Sequence, residues 1–195
     1  MSFWTNFFES IGRKTLKELN LKVEGRFVQG GFGEKDKIIV TYRNTSILID
    51  THKRLRGKKL VLFYRIICPF KSVNNLIMSI STEDTFSHAA KVFGNDDIRI
   101  GNEKFDNEFY LKSNNEQLFL EFIQSDILQK HYLESLKRLS YFPFCIEVKK
   151  GFDYYVYNET NNSDIETILE YLRLCKLTLD RLIEIGEAED ISTNI

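Results

Sequence analysis

Between Lys37 and Ser81 the apolar residues keep the period of a strand, and beyond Asn114 they keep the period of a helix. A chain whose hydrophobic period switches in this way is confined to a fold in which helices cover a sheet. Lys37 to Arg43 sets Ile38, Val40 and Tyr42 against Ile39, Thr41 and Arg43, and Ser46 to Thr51 sets Ile47 and Ile49 against Ser46, Leu48 and Asp50. With Asn44 and Thr45 between them, these segments predict a hairpin. Leu60 to Cys68 is apolar at both parities and predicts a central strand covered on each side; Leu76 to Ser81 predicts another after a turn at Pro69. Phe144 to Lys149 and Phe152 to Tyr157, joined through Lys150 and Gly151, predict a second hairpin.

The helical segments flank and interrupt these strands. Residues 2 to 19 gather Phe3, Trp4, Phe7, Phe8, Ile11, Leu16 and Leu19 toward one side. Thr82 to Phe93 predicts a short helix, Asp96 to Phe109 a polar, turn-rich stretch, and Glu108 to Lys112 a strand. Asn114 to Leu139 predicts one broken helix or two consecutive ones, with Leu128, Tyr132, Leu136 and Leu139 on a stripe and Ser125 or Asp126 as a restart cap. The last helix is expected to open with a capping box, Ser163 and Glu166. It carries Ile165, Ile168, Leu172, Cys175, Leu179 and Leu182 at alternating spacings of three and four. That seam lasts about two and a half heptads, so packing on the domain's own sheet is the favoured use and a homodimer through residues 164–183 the alternative. The expected architecture is α+β: a mostly antiparallel sheet with N-terminal, middle and C-terminal helices packed on it. Residues 1–186 form one domain in this reading, and residues 187–195 an acidic, frayed tail.

Composition narrows the setting. Three cysteines, Cys68, Cys145 and Cys175, lie far apart among apolar neighbours, which suits reduced thiols in a cytoplasmic protein. The N-terminal segment places its aromatics before Arg13, Lys14 and Lys17, the reverse of a secretory signal, and no apolar run approaches the ~20 residues that cross a bilayer. Net charge is −1, yet residues 13 to 71 hold 15 Lys/Arg against 5 Asp/Glu while residues 83 to 195 hold 12 against 22. Unless folding interleaves them, the molecule has a basic side and an acidic side.

Reactive constellations are sparse. Gly30, Gly31 and Gly33 precede a strand rather than a helix, so a turn explains them better than a phosphate cradle. His52, His88 and His131 lack a second ligand at helical spacing; His131 with Glu134 is the nearest thing to a pair. No nucleophile elbow occurs. Asp96, Asp97, Asn102, Glu103, Asp106 and Glu108 cluster oxygen donors but miss the spacing of a calcium loop, and capping and turn formation account for most of them. No cofactor and no metal are expected.

Ile100, Gly101, Asn102, Phe105, Asp106 and Phe109, continuing through Leu111, Lys112, Ser113 and Asn114, resemble an I-G-[DN]-x-x-F-D-x-x-F pattern in bacterial proteins of unknown function. The strand ending in Cys68, Pro69 and Phe70 and the segment Leu76 to Ile80 resemble the region upstream of it, so the likeness covers about half of the chain. It implies structure only: Phe105 and Phe109 plugging the core, Gly101 permitting a tight turn, and Asp106 tying down backbone N–H groups.

The densest basic run is Lys53, Arg54, Arg56, Lys58 and Lys59, expected in a loop between two strands, where it would grip phosphates beside an aromatic sheet able to stack bases. The leading reading is a non-catalytic interaction or accessory domain with a protein partner. An electrostatic binder of nucleic acid or an anionic membrane surface, using the basic loop and Phe3, Trp4, Phe7 and Phe8 of the first helix, is the alternative. An unrecognised hydrolase or metal-dependent enzyme is third.

Overall fold

The computed structural model describes residues 3–31, 34–82, 97–139, 145–151 and 154–189. The period-two half of the chain builds a meander in sequence order: β1 (Gly25–Val28), β2 (Lys37–Tyr42), β3 (Thr45–Arg56) and β4 (Lys59–Ser72). Next come β5 (Met78–Ser81), β6 (Tyr110–Ser113), β7 (Cys145–Lys150) and β8 (Tyr154–Thr160), and the sheet runs β1-β2-β3-β4-β8-β7-β5-β6. A short β9 (Ala188–Glu189) adds to the far end of β4. Every pairing is antiparallel. The helices are α1 (Phe3–Asn20), α2 (Glu103–Glu108), α3 (Glu116–Ile123), α4 (Asp126–Arg138) and α5 (Ile165–Glu184), which makes the fold α+β.

Register decides which residues the helices cover. Ile38, Ile49, Tyr64, Ile66, Val156 and Val148 share one face and are buried under α1 and α5. The opposite parity places Leu48, Asp50, Arg65, Ile67 and Glu159 on the other face, where most side chains are only half-covered. β4 is therefore packed by described helices on one side, not on both as its composition suggests. Its second apolar parity is explained by Phe63, which is buried beneath neighbouring side chains of the same face.

Other expectations are corrected. Pro69 does not end a strand: it sits inside β4 opposite Tyr155, at a point where the ladder with β3 has already stopped at Leu48 and Ile67. A missing N–H costs nothing on an unpaired flank, and Thr45 Oγ1 donates to the Pro69 carbonyl at 2.8 Å. α5 is capped by Asp164, whose carboxylate accepts from Thr167 N at 2.9 Å, rather than by Ser163. The turn-rich stretch contains a helix, α2, capped by Asn102. Asn114 to Leu139 resolves into α3 and α4, with Ser125 as the restart cap of α4. The seam of α5, from Ile165 to Leu182, is buried in the chain's own core. The tail expected from residue 187 is folded in as far as Glu189: Glu187 is fully buried, and its carboxylate accepts from Ser72 Oγ, from Asn74 N at 2.9 Å and from Leu76 N at 3.1 Å. The helix expected at 82–93 lies outside the described residues apart from Thr82. Among the described residues, no helix is long and apolar enough to cross a membrane.

Candidate interaction surface

Folding interleaves the two charge blocks. Lys22 pairs with Glu166 at 2.5 Å, Arg43 with Asp180 at 2.6 Å, Arg54 with Glu159, and Lys71 with Glu189 at 2.9 Å, each a basic-half residue meeting an acidic-half one. The expectation of a basic side and an acidic side is corrected accordingly. Of the exposed cations of the basic half that make no ion pair among the described residues, Lys14, Lys17, Arg26 and Lys35 are spread over other elements, while Lys58 and Lys59 sit together at the tip of the β3–β4 hairpin.

That tip is a ribbon, not a loop. β2 pairs with β3 only as far as Asp50, and β8 pairs with β4 only from Tyr64, so the segment from Thr51 to Phe63 runs on with no strand on either flank among the described residues. The turn is two residues long, with Gly57 at φ +60° between the paired Arg56 and Lys59. Glycine is suited to that conformation because a Cβ there is strained. Period two then divides the basic run. Lys53 and Leu55 face the helix side, while Arg54 lies with His52 on the other face. Leu55 stands directly opposite Leu60, and the two are 73% and 36% exposed. Lys58 and Lys59 are exposed, and neither makes an ion pair among the described residues. Lys53 is half-buried. Arg54 is tied back, bonded to the Glu159 carboxylate with its guanidinium 5.7 Å from the Phe63 ring. The side chains of Arg56, Phe3, Trp4, Phe7 and Phe8 lie outside the described residues.

At the root of the ribbon the open face carries a network of charges. Arg65 donates to Asp50 in a two-pronged pair, with Nε 2.7 Å from Oδ1. Glu159 accepts from Arg54 and from the Tyr157 hydroxyl, and Lys149 sits 4.0 Å from the Tyr157 ring while bonding Glu147 at 2.7 Å. His52 stacks on Phe63 at 5.5 Å, its Nε2 3.3 Å from Glu159, and neither ring nitrogen has a hydrogen-bond partner among the described residues. Burial pushes this imidazole down to about 4, against the pull of Glu159. Its folded pKa is below the unfolded value, so the unfolded chain takes up the proton first and stability falls as the pH drops from about 6.5 to 4. We expect a loss on the order of 1–2 kcal/mol over that window, less than the full linkage value because water reaches part of the ring. Urea midpoints should decline less steeply with acid in His52→Phe; an unchanged slope would remove His52 from the account. Glu170 acts in a different window. Burial works to raise its carboxyl, but the Ser135 hydroxyl and Arg173 and Arg138 outweigh it and hold the group below its ordinary range, so its contribution is lost only below about 4.5.

The remaining chemical candidates have structural occupations. Burial pushes the Cys68 thiol up to about 12 and raises Cys145 and Cys175 as well, so none is a thiolate at neutral pH. His131 does not pair with Glu134: its Nδ1 accepts from Arg173 at 2.6 Å, and Glu134 faces Lys130 at 3.9 Å. His88 and Asp96 lie outside the described residues. Gly101 is at φ +80°, and Asp106 accepts from Ile100 N and Gly101 N at 3.0 and 2.9 Å. The buried Phe105 and Phe109 rings lie 4.6 Å apart. Asp97 accepts from Leu111 N at 2.7 Å, and among the described residues no group of three His, Cys, Asp or Glu could hold a metal. An open groove of about 560 Å³ lies between α5, β2 and the turn after α1. Most of its charges are engaged: Lys22 with Glu166, Arg173 with Glu170, Asp180 with Tyr42 and Arg43, and Lys176 over the Tyr42 ring.

Comparison with protein-family models, curated proteins and solved structures finds no match. The surface is therefore judged on its own chemistry. Sequence reasoning missed Glu159, which governs the root of this surface, and Glu187, which clips the opposite end of β4. Glu159 shares the parity of Tyr157 on β8, but only the register and the side-chain contacts reveal that this parity faces Arg65 and Arg54. Glu187 gave no signal, because its partners lie more than a hundred residues away.

Proposed function

We propose that this chain is a non-catalytic interaction domain that docks on a polyanionic surface through the β3–β4 ribbon. The observation that carries the reading is the ribbon itself: two strands projecting past their neighbours among the described residues, with Lys58 and Lys59 exposed at the turn and no acid anywhere from Thr51 to Leu60. A tip of that kind attracts a polyanion at long range and presents its cations close together. The non-catalytic part is supported by the occupations of the thiols, of His131 and of the acids of the 97–108 stretch, each bonded or buried for a structural purpose.

Retention on immobilised heparin as a function of salt tests the reading. Replacing Arg56, Lys58 and Lys59 with Gln removes three charges from the tip, and at about 1 kcal/mol per cation near an anionic surface the affinity should fall roughly 100-fold. Arg54→Gln should change retention much less, because Arg54 is held by Glu159. Equal retention of the triple variant and the wild type would withdraw the ribbon as the docking element.

A further inference from the structure

We infer that the polyanionic surface is a lipid bilayer with anionic headgroups, entered by Leu55 and Leu60; this rests on the ribbon reading above. The choice among polyanions is made by what accompanies the cations. Leu55 and Leu60 are cross-strand neighbours and form an exposed apolar pair within one or two residues of Arg56, Lys58 and Lys59. In the bilayer interface such an arrangement satisfies both halves at once: apolar side chains enter the acyl boundary while Lys and Arg stems reach back to the headgroups. A nucleic acid offers phosphates to the cations but no apolar layer for the leucines. Base stacking, the other means of holding a strand, needs open rings, and here the Phe63 ring is overlaid by His52 and Arg54 while Lys149 lies over the Tyr157 ring.

A second element points the same way. Tyr64 donates to Thr15 at 3.0 Å, and a Cβ on Gly12 would meet Thr51 and Leu62 at 3.3 to 3.5 Å. Going backward along α1 thus goes outward along the ribbon. Nine residues of helix from Gly12 to Phe3 advance ~14 Å at ~1.5 Å each. Four residues of strand from Leu62 to Lys58 advance ~13 Å at ~3.3 Å each. The start of α1 and the turn of the ribbon therefore come to the same level. The sequence positions Phe3, Trp4, Phe7 and Phe8 belong to that end of the molecule, and aromatic residues are enriched where protein meets the headgroup layer.

The experiment uses the full chain with vesicles of phosphatidylcholine alone or mixed with phosphatidylserine, read by co-sedimentation. The wild type should bind the mixed vesicles and not the neutral ones. Leu55→Ser with Leu60→Ser should weaken vesicle binding about 10-fold or more while leaving heparin retention unchanged. Both leucines are exposed, so the circular dichroism and thermal midpoint of this variant should match the wild type. Trp4 is the only tryptophan, and its emission should be quenched by vesicles with brominated acyl chains. Failure on both heparin and vesicles would sink the ribbon reading itself. Heparin retention with vesicle binding indifferent to the two leucines, or with single-stranded DNA preferred over vesicles, would overturn the lipid inference and leave the ribbon reading standing. Vesicle binding without Trp4 quenching would overturn the shared docking end.

Discussion

Replacing Glu187 by alanine is expected to lower stability by about 3 kcal/mol, close to a 10 °C fall in the thermal midpoint for a domain of this size. The carboxylate is fully buried and satisfies two backbone N–H groups and the Ser72 hydroxyl across the connection from β4 to β5. Truncation removes the acceptor and leaves the amides of Asn74 and Leu76 without it; Asn74 is exposed and can turn to water, but the buried Leu76 N–H cannot, and an unsatisfied buried donor is costlier than the bond it replaces is favourable. Glu187→Gln keeps one acceptor oxygen and should lose less. Urea unfolding of the two variants decides the matter: equal midpoints for Glu187→Ala and the wild type would mean that the clip contributes nothing.

A comparable loss, about 3 kcal/mol, is expected for Arg65→Ala, with a marked asymmetry toward its partner. Asp50 is 6% exposed and bonded on both carboxylate oxygens by Arg65, so removing the guanidinium strands a buried negative charge. Asp50→Ala strands a cation that is more open to water and lies close enough to Glu159 to feel its charge, and should cost about half as much. Replacing both with Leu, on a half-covered sheet face, should recover most of the stability. A double-mutant cycle with equal single losses would contradict the asymmetry.

The elements most legible in the sequence were those whose cues are local. The β2–β3 hairpin follows from period two and a two-residue turn, and the restart at Ser125 and the Gly101–Phe109 arrangement from residues within a few positions of one another. Long-range facts were illegible for a physical reason. The charge blocks appeared segregated because sequence order does not record that β4 pairs with β8, the step that brings Glu159 to Arg54 and Arg65. The cations of residues 53–59 suggest a loop, because cations are common in loops. Strand pairing between Lys53 and Leu62 depends on the opposing strand, not on the propensity of either segment. Pro69 misled for the same reason: whether a proline ends a strand depends on whether its N–H side has a neighbour.

The sheet order has a consequence for synthesis. The meander β1 to β4 is complete once residue 72 has emerged, with α1 already made to cover part of its apolar face, but the roof over β4 and β8 is supplied by α5, which spans Ile165–Glu184. At about 5–20 residues per second, the intervening hundred or so residues take on the order of 10 s to appear. Through that interval Ile66 stands on a formed sheet that α1 roofs only in part, whose β4 edge still awaits β8. A nascent chain of this design depends on a holding factor or on fast completion, and truncations ending before Ile165 are expected to partition into the insoluble fraction while the full chain does not. A soluble, monomeric fragment of residues 1–150 would show that the half-built sheet protects itself.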